Sequence, residues 1–479
     1  MRRFLVLLTL LVPAFAGCLS AAVEDPALEG LAQGLAGTGV VPDAPSLVAG
    51  NPWRDREADA AINPRDPDHM AILYNERPKG YLTGAILTDP LTPGILRQAL
   101  AVSHDGGENW TREVVPELLA APDPASKWNL WCMMGDPIVF FDNEGVLHIV
   151  TLAVSCGGPG LTGVEGILHA TTEDDGKTWS EPSIAWVGAG GVAVVFHDRE
   201  WAAYDPVTGR IGIAWTAFYT GVQRADLMAV FSSDGGRTWN LPEVVRHGIP
   251  TDPVHNYMLH ATWASDGKFH ISGADCSTGS LMEGSARLCL GHYRGAPGGP
   301  WERSEVPLAD CGALPEGTTA GYAVSAADFE RGRLFAAIMI ETPEGIPVDV
   351  CIAASHDDGA TWAEARLLGN STGHAWIGVT PTGEVAVAYL HLLPFGAVPS
   401  MVLLDPDTFE AGESTALGPL YAADTNRDGV PEYGDYDGMA VSGGRFLWAL
   451  TVPNDRGEPA PEGWAELDIR AYRGTFSAV

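Results

Sequence analysis

The chain is poor in cations. Lysine occurs only at Lys79, Lys127, Lys177 and Lys268, and 28 lysines and arginines face 61 acids, a formal net charge of −33. Such a surface repels phosphate backbones and anionic headgroups, which excludes nucleic acid as a partner. Long apolar runs are missing beyond the first residues, so no later segment can cross a bilayer as a helix. Cys-x-x-Cys spacing is absent, which removes the common cysteine-based zinc motifs. No Gly-rich phosphate loop, Ser-His-Asp order, redox cysteine pair or long helical periodicity occurs.

What the chain does have begins with Met1-Arg2-Arg3, an apolar run from Phe4 to Phe15, and Ala16-Gly17-Cys18. This pattern predicts an export signal over residues 1–17. Its end looks like a lipoprotein cleavage box, with Phe15 where Leu is more usual, which would make Cys18 the lipidated first residue of the mature chain. The alternative is an ordinary secretory signal with an incidental cysteine. Residues 18–46, rich in Ala, Gly and acids and without periodicity, read as a flexible tether. The expected setting is the outer face of a membrane, touched only through the lipid anchor, or free secretion; the chain is expected to be a monomer. Of the 7 cysteines, those other than Cys18 are even in number, which suits an oxidising compartment. Cys132 and Cys156 sit symmetrically about a turn near Glu144, and Cys276 and Cys289 flank a short connection. Cys311 is then left with Cys351.

Residues 47–479 repeat. Ser103 to Trp110, Thr172 to Trp179, Ser232 to Trp239 and Ser355 to Trp362 each read Ser/Thr-x-Asp-x-Gly-x-x-Trp. The spacing predicts a hairpin turn: Asp accepts backbone N–H bonds, Gly takes a positive φ, and Trp lies back as an apolar plug. Around these turns run further hairpins, such as Ile138–Phe141 with Val146–Val150 and Trp376–Val379 with Val385–Tyr389. Tyr293 to Trp301 and Asp405 to Phe409 read as degenerate copies of the Asp turn. Four strands in a period of roughly 60 residues describe propeller blades. The hairpin count gives about seven, the last completed by Leu467 to Tyr472 and closed by a strand near Leu47-Val48-Ala49.

The eight-residue pattern resembles the Asp-box, or BNR, repeat of sialidase-like β-propellers. The resemblance implies an all-β propeller, six-bladed in the usual member against the seven counted here, with its Asp-boxes on the outer rim away from a central site. It also implies a possible glycoside hydrolase of the exo-α-sialidase type, cleaving sialic-acid-like or other acidic sugars. The nearest match to the family's Arg-Ile-Pro opening is Trp53-Arg54-Asp55-Arg56-Glu57, which lacks Ile-Pro. Arg54 or Arg56 would then be a clamp arginine, and Tyr322 or Tyr436 the tyrosine, with Glu200 beside it.

Residues entering the first strand of each blade gather at one mouth of the channel. In order they are Arg54, Arg56 and Glu57; Asp136; Asp198, Arg199 and Glu200; His255, Asn256 and Tyr257; Tyr322; His374; and Asp435, Tyr436 and Asp437. Mutual ion pairing would make this ring a scaffold. A glycan or cell-surface protein ligand bound there is the other reading, and catalysis would draw on Arg56, Asp136, Arg199, Glu200 and Tyr322. His148 and His270, in second strands, are expected to be satisfied by packing. Asp424, Asn426, Asp428, Val430 (through its carbonyl), Glu432 and Asp435 fall at the offsets of a calcium loop with Gly429 at the turn, predicting a structural Ca2+. The alternative there is an acidic surface turn.

Overall fold

The computed structural model describes residues 39–49, 54–77, 97–116, 125–155, 164–188, 195–219, 224–248, 259–274, 290–306, 311, 319–341, 347–369, 372–393, 396–422, 437–453 and 467–477. Seven antiparallel sheets follow one another along the chain, and each is a blade. Blades I to III comprise Arg54–Ile62, Met70–Arg77, Arg97–Ser103 and Thr111–Val114; Trp131–Phe141, Leu147–Ser155, Glu165–Thr172 and Ser183–Val187; and Val195–Tyr204, Ile211–Tyr219, Arg224–Ser232 and Glu243–His247. Blades IV to VI open on Leu259–Trp263, Thr319–Asp328 and Thr372–Val379. Blade VII runs Gly438–Ser442, Arg445–Pro453 and Leu467–Phe476. The blade count made from hairpins is therefore correct, and the six-bladed alternative is not what the chain adopts.

The first strands touch one another in sequence order, and the ring closes where Gly438–Ser442 meets Arg54–Ile62. The approach there is close. A Cβ on Gly438 would stand 2.2 Å from Asp59 Oδ1 and 2.6 Å from the Asp59 Cα, so only glycine fits. Blade VII is completed from the other end of the chain. Val40–Pro42 pairs with residues 474–476, and Ser46–Ala49 pairs with residues 469–471. The strand expected near Leu47 is present, but a second precedes it inside the stretch read as tether. A three-residue strand with one buried side chain leaves no alternation to detect.

Between blades lies the apolar core: Trp215, Trp263 and Trp448 are fully buried. Such burial is the main favourable term for a fold whose blades are each too thin to stand alone. The Asp-boxes have the expected chemistry. In the first, Ser103 Oγ accepts from the Gly107 N–H at 2.8 Å and donates to Asp105 Oδ1 at 2.7 Å, while Asp105 Oδ1 accepts from the Asn109 N–H at 2.9 Å. Gly107 takes φ 85°. The other three boxes repeat these bonds from Thr172, Ser232 and Ser355.

At three joints one blade clasps the next through a single serine. Ser304 Oγ donates to the Gly359 carbonyl at 2.7 Å and accepts from Trp362 Nε1 at 3.1 Å. Ser46 does the same for Gly107 and Trp110, at 2.7 and 2.9 Å, and Ser183 for Gly236 and Trp239. One hydroxyl thus ties the outer strand of one blade to the box of its neighbour. Ser304→Ala removes both bonds and leaves a buried indole N–H unpaired. We expect a loss of about 1–2 kcal/mol in denaturant unfolding, with no change in the far-ultraviolet circular dichroism.

His148 and His270 are satisfied as expected, each by a histidine on the neighbouring strand. His148 Nδ1 lies 2.9 Å from His169 Nε2, and His270 Nδ1 lies 3.0 Å from His292 Nε2. Burial lowers His169 to about 3 and takes His292 well below the usual imidazole range, so both are neutral at physiological pH.

Candidate functional site

The opening strands of five blades carry the same irregularity at the same place. Pairing with the second strand slips between Arg56 and Asp59, Gly135 and Ile138, Asp198 and Trp201, Ala320 and Ala323, and Gly373 and Trp376. Each slip inserts an extra residue, a bulge that re-aims side chains. At four of them the inserted residue has a left-handed backbone without being glycine: Glu57 (φ 55°), Asp136 (49°), Arg199 (60°) and His374 (47°). Left-handed non-glycine residues cost on the order of 1–3 kcal/mol each and concentrate at functional sites. The bulges lie at the end of the blades opposite the Asp-boxes, where the first strands enter.

Four of the five residues expected to carry chemistry, Asp136, Arg199, Glu200 and Tyr322, fall inside these bulges, and Arg56 immediately precedes one. For Arg54, Arg56 and Tyr322 the strands are described and the side chains are not. His255, Asn256, Tyr257, Asp435 and Tyr436 lie outside the described residues, as do the calcium loop Asp424 to Asp435, Cys18, Cys156, Cys276 and Cys289. The Cys132 side chain is not described either. The remaining pair, Cys311–Cys351, is a disulfide with Cα atoms 5.9 Å apart.

The described centre of the mouth is a group of carboxyls on blades II and III. Asp136 and Asp198 hydrogen-bond to each other through their side chains, and the Arg199 N–H lies 3.4 Å from Asp136 Oδ2. Burial, then the Asp198 charge, raise Asp136 to about 7. Two carboxyls this close disfavour ionisation of both at once. Glu200, 3% exposed, has no hydrogen-bond partner for either carboxyl oxygen among the described residues. Burial, reinforced by Asp136, lifts it well above the ordinary carboxylate range, so it too is neutral. Arg199 Nε stands 3.6 Å from Asp198 Oδ2. Across the ring, His374 Nδ1 is 3.4 Å from Asp437 Oδ2, and Asp437 is raised by burial.

A buried polar chain braces this group from blade I. Asn75 donates to Glu57; Gln98 Nε2 donates to Thr151 Oγ1 at 2.8 Å and to the Gly135 carbonyl at 3.1 Å, next to Asp136. Asn75 and Gln98 were not singled out from the sequence, because their position beside the bulge depends on pairing between strands. Arg97 and Arg112 are committed elsewhere, both clamping the fully buried Glu76. Among the described side chains, Arg199 is the one arginine on the bulges.

No protein-family model matches the chain. A sialidase of Micromonospora viridifaciens is 24% identical over 412 residues, 79% of this chain and 57% of that protein. The chain thus spans a little over half the length of that relative. Among solved structures, a Dyadobacter fermentans protein of unknown function aligns at TM-score 0.50 and 15% identity, covering 91% of this chain and 99% of that one. The NanB sialidase of Streptococcus pneumoniae aligns at TM-score 0.46 and 9% identity, covering 92% and 98%. The chain is a seven-bladed β-propeller similar in sequence to the Micromonospora viridifaciens sialidase. In this sialidase-like propeller the Asp-boxes lie at the periphery, away from the bulged mouth, as the resemblance implied.

Proposed function

We propose that the sialidase-like propeller binds a glycan at the channel mouth, against the Asp136–Asp198 pair and Glu200. The observation that carries this is the cluster of carboxyls, Asp136 beside Asp198 and buried Glu200 with neither carboxyl oxygen bonded among the described residues. Carboxyls so placed can exchange hydrogen bonds with sugar hydroxyls. The ligand class that suits it is an uncharged sugar face. Among the described side chains, Glu57, Asp136, Asp198, Glu200 and Asp437 outnumber Arg199 and His374 there, and an anionic sugar wants several arginine forks instead. Hydrolysis of the glycosidic bond is a second reading, favoured by the Asp136 value of about 7, which suits a general acid near neutrality. Two flanking carboxyls of a glycosidase stand about 5 Å or more apart, so a hydrogen-bonded pair would act as a single acid unit and needs a further group as nucleophile or base. Tyr322, on the blade V bulge, is the candidate for that role.

The setting belongs to the same proposal: export, a lipid anchor at Cys18, and Ca2+ in the Asp424 to Asp435 loop. The Cys311–Cys351 disulfide supports an oxidising compartment. The deciding experiment sets the full-length protein, with calcium, against immobilised neutral and carboxylated glycans and against fluorogenic glycosides that include a sialoside. Binding to neutral glycans that Glu200→Gln and Asp198→Asn weaken at least tenfold is the expected result. Turnover lost in Tyr322→Phe would make the protein a hydrolase. Folded protein that holds no glycan would end the proposal.

A further inference from the structure

On the opposite face, where the Asp-boxes lie, three turns from two blades bring together side chains that the mouth does not use. His69 comes from the first hairpin of blade I, where the His69 N–H donates to the Asp66 carbonyl at 2.8 Å. His104 is the second residue of the blade I Asp-box, and Asp175 the fourth of the blade II box, with a left-handed φ of 62°. His104 Nε2 lies 2.9 Å from Asp175 Oδ2, and His69 Nε2 lies 3.1 Å from Asp175 Oδ1. The two imidazoles stack with centroids 4.2 Å apart, and Phe141 holds the His69 ring edge-on at 4.8 Å. One donor atom from each of the three residues falls within 4.8 Å of the others.

We propose that His69 Nε2, His104 Nε2 and the Asp175 carboxylate hold a divalent transition-metal ion, with zinc the best match, stapling blade I to blade II. Two imidazole nitrogens and one carboxylate are a zinc donor set and not a calcium one. Tetrahedral ligands at about 2.0 Å from zinc lie about 3.3 Å apart, so the separations of 2.9 and 3.1 Å need to open by only a few tenths of an ångström. His104 is more than half exposed, at 57%, which leaves a path for the ion and room for a water as fourth ligand.

The propeller contains its own comparison. At the step from blade IV to blade V the corresponding box residue, Asp358, accepts from the blade IV hairpin through Ser265 Oγ at 3.0 Å. There the carboxylate receives one neutral hydroxyl, while Arg294 bonds the Asp357 and Asp358 carbonyls beside it. At the blade I to blade II step two imidazoles converge on the equivalent carboxylate.

The second sphere makes a distinguishing prediction. Asn63 Nδ2 is 3.1 Å from His69 Nδ1, while Asn63 Oδ1 accepts from the Arg65 N–H at 2.9 Å. Without metal the amide donates to Nδ1, and the ring proton sits on Nε2 against Asp175. Metal binding displaces that proton and moves the tautomer, so Nδ1–H then wants an acceptor. Asn63→Asp supplies one.

The test uses chelator-stripped full-length protein at pH 7.5, with Zn2+ followed by calorimetry and Co2+ by its visible absorption. One equivalent should bind, with proton release. His104→Ala and Asp175→Asn should each weaken binding at least tenfold while the metal-free melting temperature stays within a few degrees, since His104 is a surface residue and Asn tolerates a left-handed backbone. Asn63→Asp should tighten binding by up to tenfold. Absence of Zn2+ and Co2+ binding, or binding that both His104→Ala and Asp175→Asn leave intact, would show that the histidines serve only as hydrogen-bond donors to Asp175.

Discussion

Asp136→Asn should raise the melting temperature by several degrees at pH 8 and leave it nearly unchanged at pH 4. The folded chain holds the Asp136 proton to about 7, whereas the unfolded chain releases it near the ordinary 3.8. A carboxyl raised in this way contributes stability that is fully present below pH 3.8 and is lost as pH rises through about 7. The loss is on the order of 4 kcal/mol for a shift of this size. Asn keeps the hydrogen-bonding shape, tolerates the left-handed backbone at this bulge, and has no proton to lose. The same substitution should weaken glycan binding at pH 6, because the amide cannot alternate between donor and acceptor as the carboxyl does. Calorimetric scans at the two pH values separate this from general stabilisation. An equal shift at both would mean that Asp136 does not hold the proton. Stability gained together with binding lost is the pattern of a residue kept for the ligand.

Cutting the Cys311–Cys351 bridge should have the largest effect on stability alone. The bridge spans 40 residues, and closing a loop of that size removes about 4 kcal/mol of unfolded-chain entropy in the simple chain model. Both cysteines are buried, packed with Leu290, Val306 and Trp362 at the seam of blades IV and V. Cys311→Ser with Cys351→Ser should therefore unfold at markedly lower denaturant and lose any response to dithiothreitol. A reductant-induced fall in stability that persists in the double variant would point to a further disulfide among Cys132, Cys156, Cys276 and Cys289.

What could be read in the chain was what local chemistry decides. An Asp-box closes its bonds within four residues, so Ser103, Asp105, Gly107 and Trp110 state the turn by themselves, and counting the hairpins between boxes gives seven blades. The Cys311–Cys351 pairing was reached by elimination. The polar residues entering the first strands could also be located, which is why Asp136, Arg199 and Glu200 were named before their surroundings were known. Their chemistry could not. Left-handed φ at Glu57, Asp136, Arg199 and His374 has no signature in non-glycine residues, and the Asp136–Asp198 bond joins two blades that are independent in sequence. His69, His104 and Asp175 are likewise unremarkable turn residues until two blades stand side by side. Aligning the blades strand by strand would have found the His148–His169 and His270–His292 pairs, since each occupies matching positions on neighbouring strands.

Blade VII, finally, makes the order of synthesis matter. Arg473 Nη1 donates to the Ala44 carbonyl at 2.6 Å across 429 positions, and Ser46 reaches the Asp-box of blade I from that same terminal sheet. The N-terminal segment must wait for the last strand before it can settle, so six blades can form in turn while the ring stays open. Until that final pairing, Gly438 has no Asp59 to press against, the neighbouring edges are unsealed, and the bulged mouth lacks one of its walls. Completion is thus a single late event, and a chain truncated before Leu467 would lose both the last wall and the seam that holds the first.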